Sequence, residues 1–444
     1  MATKSGVWPP SVAAYPLPLV RPSDSLSLGE RAVPANESLL RPYFTALREQ
    51  PDAGLALNVH LPFCPSRCLS CDRVAVVQHQ PDEIDHYITN LDVELALVAR
   101  QITAQEGAGR RLARVHLGGG SPNHLSELAL ATLFSHIATH FTIDSDTHVS
   151  MEVNPRRASR AQLNFLKGLG VEHIKLEVRD VDANVQREIG RIQSLELLED
   201  VISIAHGVKF KSIGMDYLVG LPGQTPDSCE QSVEAIVSLS PDWLVCLPFH
   251  RRENAFPHQI AVEPQHLPSL ADRLVMFNQV QQGFAEAGYE WVGLNVFAKP
   301  DSELANAQRE GTLSLNVLGY AAQRDLSVIG VGLGALGELP GVVVQNVTRL
   351  APWHALLESG MLPAAAAVVA DSDETIRRKV MRALVCGQTV PTDDLGAQQR
   401  KVWLQPLLAE GYANEVEGHV LLTDLGRSLL PHVWTDSSPA FRAV

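Results

Sequence analysis

Between residues 54 and 250, short apolar runs alternate with longer amphipathic ones, and no other feature constrains the fold as tightly. The candidate strands are Leu55–Leu61, Arg114–Leu117, His148–Val153, His173–Val178, Lys211–Leu218 and Trp243–Phe249. Between them, helical spacing predicts Ile84–Gln101, Glu127–Thr139, Arg160–Leu169, Ser194–Gly207 and Pro226–Leu239. Crossovers of this length join parallel neighbours, so six strand–helix units in series predict a parallel sheet. Six such units curl into an open, partial version of an eightfold barrel, in which ligands gather at the C-terminal ends of the strands. The expected class is α/β, a partial (βα)6 TIM-like barrel.

The rest of the chain divides around that core. Residues 1–52 are rich in Pro and Ser and predict an arm ending in a helix from Ser38 to Glu49. The barrel spans 53–250. Residues 251–370 are less regular after a long helix (Leu270–Ala287) and predict a connecting region that covers the substrate. Residues 371–444 read as helices, a hairpin (Ala413–Val416, His419–Thr423) and a last helix, a mostly α, winged-helix-like unit. With 444 residues, 45% of them apolar, the chain can bury a large core. Its 36 basic and 50 acidic residues give a net charge of −14, the wrong sign for a nucleic-acid or anionic-membrane protein. No run of 18 apolar residues predicts a membrane span, and prolines at 9, 10, 16 and 18 interrupt any signal sequence, so a cytoplasmic protein is expected.

Three of the six cysteines, Cys64, Cys68 and Cys71, form a C-x3-C-x2-C run just after the first strand. Cys229, Cys246 and Cys386 sit in or beside apolar segments and are expected to pack in the core. Three thiolates on one loop can wrap an iron–sulfide cluster and leave one iron open to another ligand. The competing readings are a zinc site, for which His60 and His79 lie at unsuitable spacing, and a redox disulfide, which lacks a C-x-x-C at a helix start. The run Gly118-Gly119-Gly120-Ser121-Pro122 follows the second strand, where glycines let backbone N–H groups approach a ligand. Glu152 ends the third strand, placed to take a hydroxyl or an amine.

This cysteine loop, followed by the glycine run and Glu152, resembles the radical S-adenosylmethionine (SAM) superfamily. A closer similarity extends over nearly the whole chain. Val59-His-Leu-Pro-Phe-Cys64, Asp216-Tyr-Leu-Val-Gly-Leu-Pro-Gly-Gln-Thr-Pro226, Phe297-Ala-Lys-Pro-Asp-Ser-Glu-Leu304, Ala307-Gln-Arg-Glu-Gly311, Asn316-Val-Leu-Gly-Tyr320 and Ile329-Gly-Val-Gly332 resemble the oxygen-independent coproporphyrinogen III oxidase (dehydrogenase) family. The resemblance implies a [4Fe–4S] cluster on Cys64, Cys68 and Cys71 and two SAM molecules beside it. The matching SAM positions are Gly119, Gly120, Ser121, Glu152, Arg191, Asp216 and Leu336. It further implies an oxidoreductase of heme (porphyrin) biosynthesis that converts two propionates of coproporphyrinogen III to vinyl groups, giving protoporphyrinogen IX. An electron donor such as flavodoxin or ferredoxin, and a monomer, are expected with it. Four propionates call for cations at the mouth, and Arg251, Arg252, Lys299 and Arg309 are the candidates.

The chain differs from the family pattern at Asn58, Ser70, Asp72-Arg73, Arg179 and His250, mostly around the second SAM. The alternatives are a radical SAM paralog acting on another tetrapyrrole or other substrate, and a non-catalytic heme chaperone.

Overall fold

A computed structural model describes residues 32–103 and 109–427. The arm up to residue 31 and the end of the last predicted helix lie outside the described residues.

The six predicted strands form as β1 (Leu55–Leu61), β2 (Arg114–Gly119), β3 (His148–Val153), β4 (His173–Arg179), β5 (Ser212–Val219) and β6 (Trp243–Pro248). They pair in that order, all parallel. The crossover helices are α1 (Pro81–Ile102), α2 (Glu127–His140), α3 (Arg160–Gly168), α4 (Leu195–Val208) and α5 (Pro226–Leu239). Their starts are encoded locally. Ser126, Ser159, Ser194 and Thr225 each accept a hydrogen bond from a backbone N–H of the first turn, and Pro226 needs no partner there.

The sheet is wider than the six units. A seventh parallel strand, Ser327–Val331, pairs with β1 on its outer side, and Leu336–Leu339, Val342–Asn346 and Ala364–Val369 continue antiparallel beyond it. On the other side, Val296–Ala298 and Glu290–Gly293 pair antiparallel beyond β6. With Val33–Pro34 of the arm pairing at the edge beside Ala364–Val369, the result is one 13-stranded open sheet, to which residues 251–370 contribute six strands on the two flanks. These strands have three to six residues each, too short to show a period of two among turns.

The two faces of β1–β5 differ sharply. Leu57, Val59, Leu117, Met151, Leu176 and Met215 face the helices and are essentially unexposed. The alternate positions Asn58, His60, His116, Ser150, Glu152 and Lys175 line the cavity that the curled sheet encloses. Eightfold barrels normally fill this space with branched apolar side chains. A polar interior leaves this one a cavity of about 720 Å3, large enough for a sizeable organic ligand.

The C-terminal unit carries the predicted hairpin, Ala413–Val416 with His419–Leu422, joined by Val390–Pro391 into a small antiparallel sheet. Its core residues Val380, Leu384, Leu404 and Val420 share an apolar cluster with Val292, Val296 and Ala298 of the main sheet.

Candidate active site

The cysteine loop leaves the C-terminal end of β1 and is tied down by backbone bonds. Gly120 donates to Leu61 O at 2.7 Å, Ser121 to Phe63 O at 2.8 Å, and Leu69 to Ile189 O at 2.9 Å. Gly120 is required here, because a Cβ would lie 2.6 Å from the Pro62 and Phe63 carbonyls. Cys64, Cys68 and Cys71 are all partly exposed and free of disulfides, whereas Cys229, Cys246 and Cys386 are buried as expected.

Two features suit these thiols to a cluster. Arg191, almost fully buried, places Nη1 3.5 Å from the Cys68 sulfur while Nη2 donates to the Glu177 carbonyl at 2.6 Å. A fixed guanidinium there offsets negative charge on a sulfur ligand. Burial, reinforced by the Glu177 charge, pushes the Cys64 thiol up to about 11. Cys64 therefore stays protonated at neutral pH until a metal displaces its proton. An all-sulfur donor set with an adjacent guanidinium fits an anionic iron–sulfur group. Beside it stand the Gly119 and Gly120 backbone and the buried Ser121, whose Oγ lies 3.8 Å from the Cys64 sulfur and also accepts from Asn154 at 3.2 Å.

The predicted SAM residues converge on this mouth, and the structure adds partners that sequence reasoning passed over. Glu152 pairs with Lys175 at 2.5 Å and with Arg73, and accepts from Gly119 N at 3.2 Å. Burial alone would raise its pKa, but Arg73 and Lys175 together hold it well below the usual carboxylate range. Arg73 also reaches Glu177 at 3.2 Å, and Arg179 joins Glu177 (2.9 Å) to Asp216 (2.8 Å). Asp216 is fully buried and accepts the backbone N–H groups of Val178 and Arg179 at 2.8 and 3.1 Å. These bonds hold Arg179 at φ +73°, a left-handed conformation that costs a non-glycine residue about 1–2 kcal/mol. Arg73, Lys175 and Glu177 were missed as site residues. The signal was there: Lys175 and Glu177 share the inward parity of β4, and Arg73 follows the third cysteine by two positions.

Leu336 lines the cavity, and its carbonyl accepts from Asn58 Nδ2 at 2.9 Å. Of the four cations expected at the mouth, Arg252 lines the cavity. Arg251 pairs with Glu253, Lys299 with Asp242 at 3.3 Å and Arg309 with Glu290 at 2.5 Å, and these three do not line it. Arg73, Arg114, Lys175 and Lys211 are the other cavity cations.

At the opposite end of the barrel, His148, His173 and Glu303 bring three potential metal ligands within 4.8 Å of one another. The two rings stack 3.7 Å apart and 14° from parallel, so their lone pairs run side by side rather than converging. Burial and the neighbouring Arg114 push His148 down to about 2 and His173 to about 4. This end is a stacked histidine pair beside a cation.

The chain matches the radical SAM superfamily model over residues 58–236. It is 31% identical over 354 residues to an oxygen-independent coproporphyrinogen III oxidase of Pseudomonas aeruginosa, covering 79% of this chain and 76% of that protein. It is 28% identical over 402 residues to the Escherichia coli protein of the same description, covering 88% and 87%. The solved structure of the Escherichia coli coproporphyrinogen III oxidase, described as a radical SAM enzyme, superimposes with a TM-score of 0.81 at 28% identity, covering 87% of this chain and 91% of that one. Among the described residues, no helix is long and apolar enough to cross a membrane.

Proposed function

The chain belongs to the oxygen-independent coproporphyrinogen III oxidase family of radical SAM enzymes, and from that premise we infer that it oxidatively decarboxylates two propionates of coproporphyrinogen III to vinyl groups, giving protoporphyrinogen IX. The observation that carries this reading is a cation-bearing cavity of about 720 Å3, lined by Asp72, Arg73 and Val74, the residues that directly follow the three-cysteine run. The [4Fe–4S] cluster and SAM, when bound, supply the one-electron chemistry that removes hydrogen from a propionate side chain.

In this reading Cys64, Cys68 and Cys71 hold the cluster. Arg191 offsets its negative charge from beneath Cys68. The Gly119–Gly120 backbone, Ser121, Glu152 and Leu336 frame the adjoining SAM site. Arg73 and Arg252 face the cavity, and their guanidinium groups match the geometry of a substrate carboxylate. The protein is read as cytoplasmic and monomeric, drawing electrons from a flavodoxin- or ferredoxin-like donor.

One specific observation favours a single bound SAM over two. Asp216 and Glu177, on the β4–β5 side, are already neutralised by Arg179 and Arg73. A second SAM there would have to displace both guanidinium groups.

The test is anaerobic turnover of the reconstituted, reduced protein with SAM and coproporphyrinogen III. Release of 5′-deoxyadenosine together with CO2 and the divinyl product is expected. Deoxyadenosine without CO2 would move the chain to another substrate, and tight heme binding with neither product would make it a chaperone.

A further inference from the structure

Gln259 is wholly buried in the turn Pro257–Ala261, and its side chain joins two groups of different purpose. Nε2 donates to the carbonyl of Cys71 at 2.9 Å, and Oε1 accepts from the backbone N–H of Arg252 at 2.6 Å. The Arg252 guanidinium returns to Asp72, the residue after Cys71, at 3.3 Å, and its carbon stands 5.3 Å from the centre of the Phe256 ring. The circuit from Cys71 through Gln259 and Arg252 back to Asp72 is closed. His258 donates to the same Cys71 carbonyl from Nε2 at 2.7 Å, and Arg251 Nε donates to the Gln259 carbonyl at 3.2 Å. Arg252, Asp72 and Phe256 all line the cavity.

A carboxamide suits this place because it offers a donor and an acceptor on one planar group. It can hold a carbonyl with one end and an N–H with the other while uncharged. An ionised carboxylate could keep only the Arg252 half. Burial raises the stakes, since a buried polar group without its partner costs about 1–3 kcal/mol.

We propose that Gln259 is a positioning residue that couples the third cysteine ligand to the substrate-facing Arg252, so that the protein binds its anionic substrate tightly only once the cluster is in place. The proposal rests on the coproporphyrinogen reading above. Metal on Cys71 fixes the direction of its carbonyl. That carbonyl fixes Gln259, and Gln259 fixes the backbone from which the Arg252 guanidinium projects. Coupling of this kind is reciprocal, so an occupied Arg252 also steadies the cluster loop. The device prevents the chain from sequestering a reactive tetrapyrrole before it can process one.

The experiment uses coproporphyrin III, the oxidised, fluorescent and unreactive macrocycle with the same four carboxylates. It is titrated into cluster-free and reconstituted protein, and iron is measured in each sample. Wild-type protein is expected to bind it about tenfold more tightly with the cluster than without, within the usual range of coupling between sites. In Gln259→Glu, which keeps the Arg252 contact and loses the Cys71 donor, the two affinities should converge while iron content is unchanged. For turnover the same variant should raise KM about tenfold and leave kcat within about twofold, the split expected of a binding-only defect. Gln259→Asn, one methylene too short to span both groups, should behave likewise.

Equal affinities in the two wild-type forms, or an undiminished ratio in both variants, overturn the proposal. Loss of iron from both variants also overturns it, since Gln259 would then hold the loop itself rather than report its state. Wild-type protein that turns over coproporphyrinogen III without the coupling refutes this inference alone. Protein that neither binds the porphyrin nor turns over refutes the substrate reading and the inference with it.

Discussion

The two sides of the barrel mouth handle charge in opposite ways. Beside β1 and β2, three thiols stand free of disulfides on a loop held mainly through its backbone. Along the wall from β3 to β5, Glu152, Glu177 and Asp216 are each matched by a cation of the same chain: Lys175, Arg73 or Arg179. A loop that must wrap a foreign cluster cannot satisfy its own sulfurs beforehand. Carboxylates buried in a wall cannot wait, because an unpaired buried charge costs several kcal/mol. The difference separates a loop whose thiols are left free of disulfides from a wall whose carboxylates are already matched.

The comparison breaks first at the cysteines. Cys68→Ala should abolish the brown chromophore and bound iron, and with them all turnover, since two thiolates cannot hold the cluster. Iron retained at the wild-type level would show that the ligands lie elsewhere. Cys386→Ala, by contrast, should keep full iron and lose only about 1 kcal/mol of stability from a buried thiol of modest size.

On the wall side, Glu152→Gln strips Lys175 of its carboxylate and leaves Arg73 only Glu177. A loss of about 3–5 kcal/mol in denaturant unfolding is expected. The depressed Glu152 pKa gives the pH dependence its sign. Its stabilisation is present above the unfolded carboxylate value of roughly 4.3 and is lost as pH falls through the folded value. The variant should therefore flatten the acid limb of the stability curve.

Arg179→Gln sharpens the comparison further, because it frees one oxygen of Asp216 while leaving the cysteine loop untouched. Equilibrium dialysis of SAM against reconstituted protein should then rise from one bound equivalent towards two. An unchanged stoichiometry would mean that something other than Arg179 closes the β4–β5 side.

The smallest effect lies behind the cysteine loop. Burial raises Glu94 to about 7, against hydrogen bonds from Gly332 N–H (2.9 Å), Asn346 Nδ2 (2.7 Å) and Trp353 Nε1 (3.2 Å). A raised carboxylate binds its proton in the folded state first. Its contribution is full below about 4.3 and fades as pH rises through about 7. Glu94→Gln should remove that slope in a series of denaturant titrations across the interval.

Several of these partners were legible from the chain alone and others were not. The six parallel strands follow from their apolar parity, and their observed ends fall within two residues of the predicted ones. The same parity put Glu152 and Lys175 on the cavity side, with Glu177 two residues beyond Lys175, although only Glu152 attracted notice. By contrast, Lys299 and Arg309 were reasonable as substrate cations by type alone. Their pairing with Asp242 and Glu290 depends on how the flanking strands fold back.

By itself the sequence determined the parallel core, the cysteine loop at the end of its first strand and the glycine run beside it. Each of these is specified by residues close together in the chain, through side-chain alternation, helix caps and the conformational freedom of glycine. Only the tertiary structure decided that Arg73 lies against carboxylates 79 and 104 residues away, that Asp216 holds Arg179 in a left-handed turn, and that Gln259 reaches Cys71 across 188 residues. Long-range polar contacts leave no periodic trace in a chain. They exist because burying a charge or an amide demands a partner, and folding alone settles which one arrives.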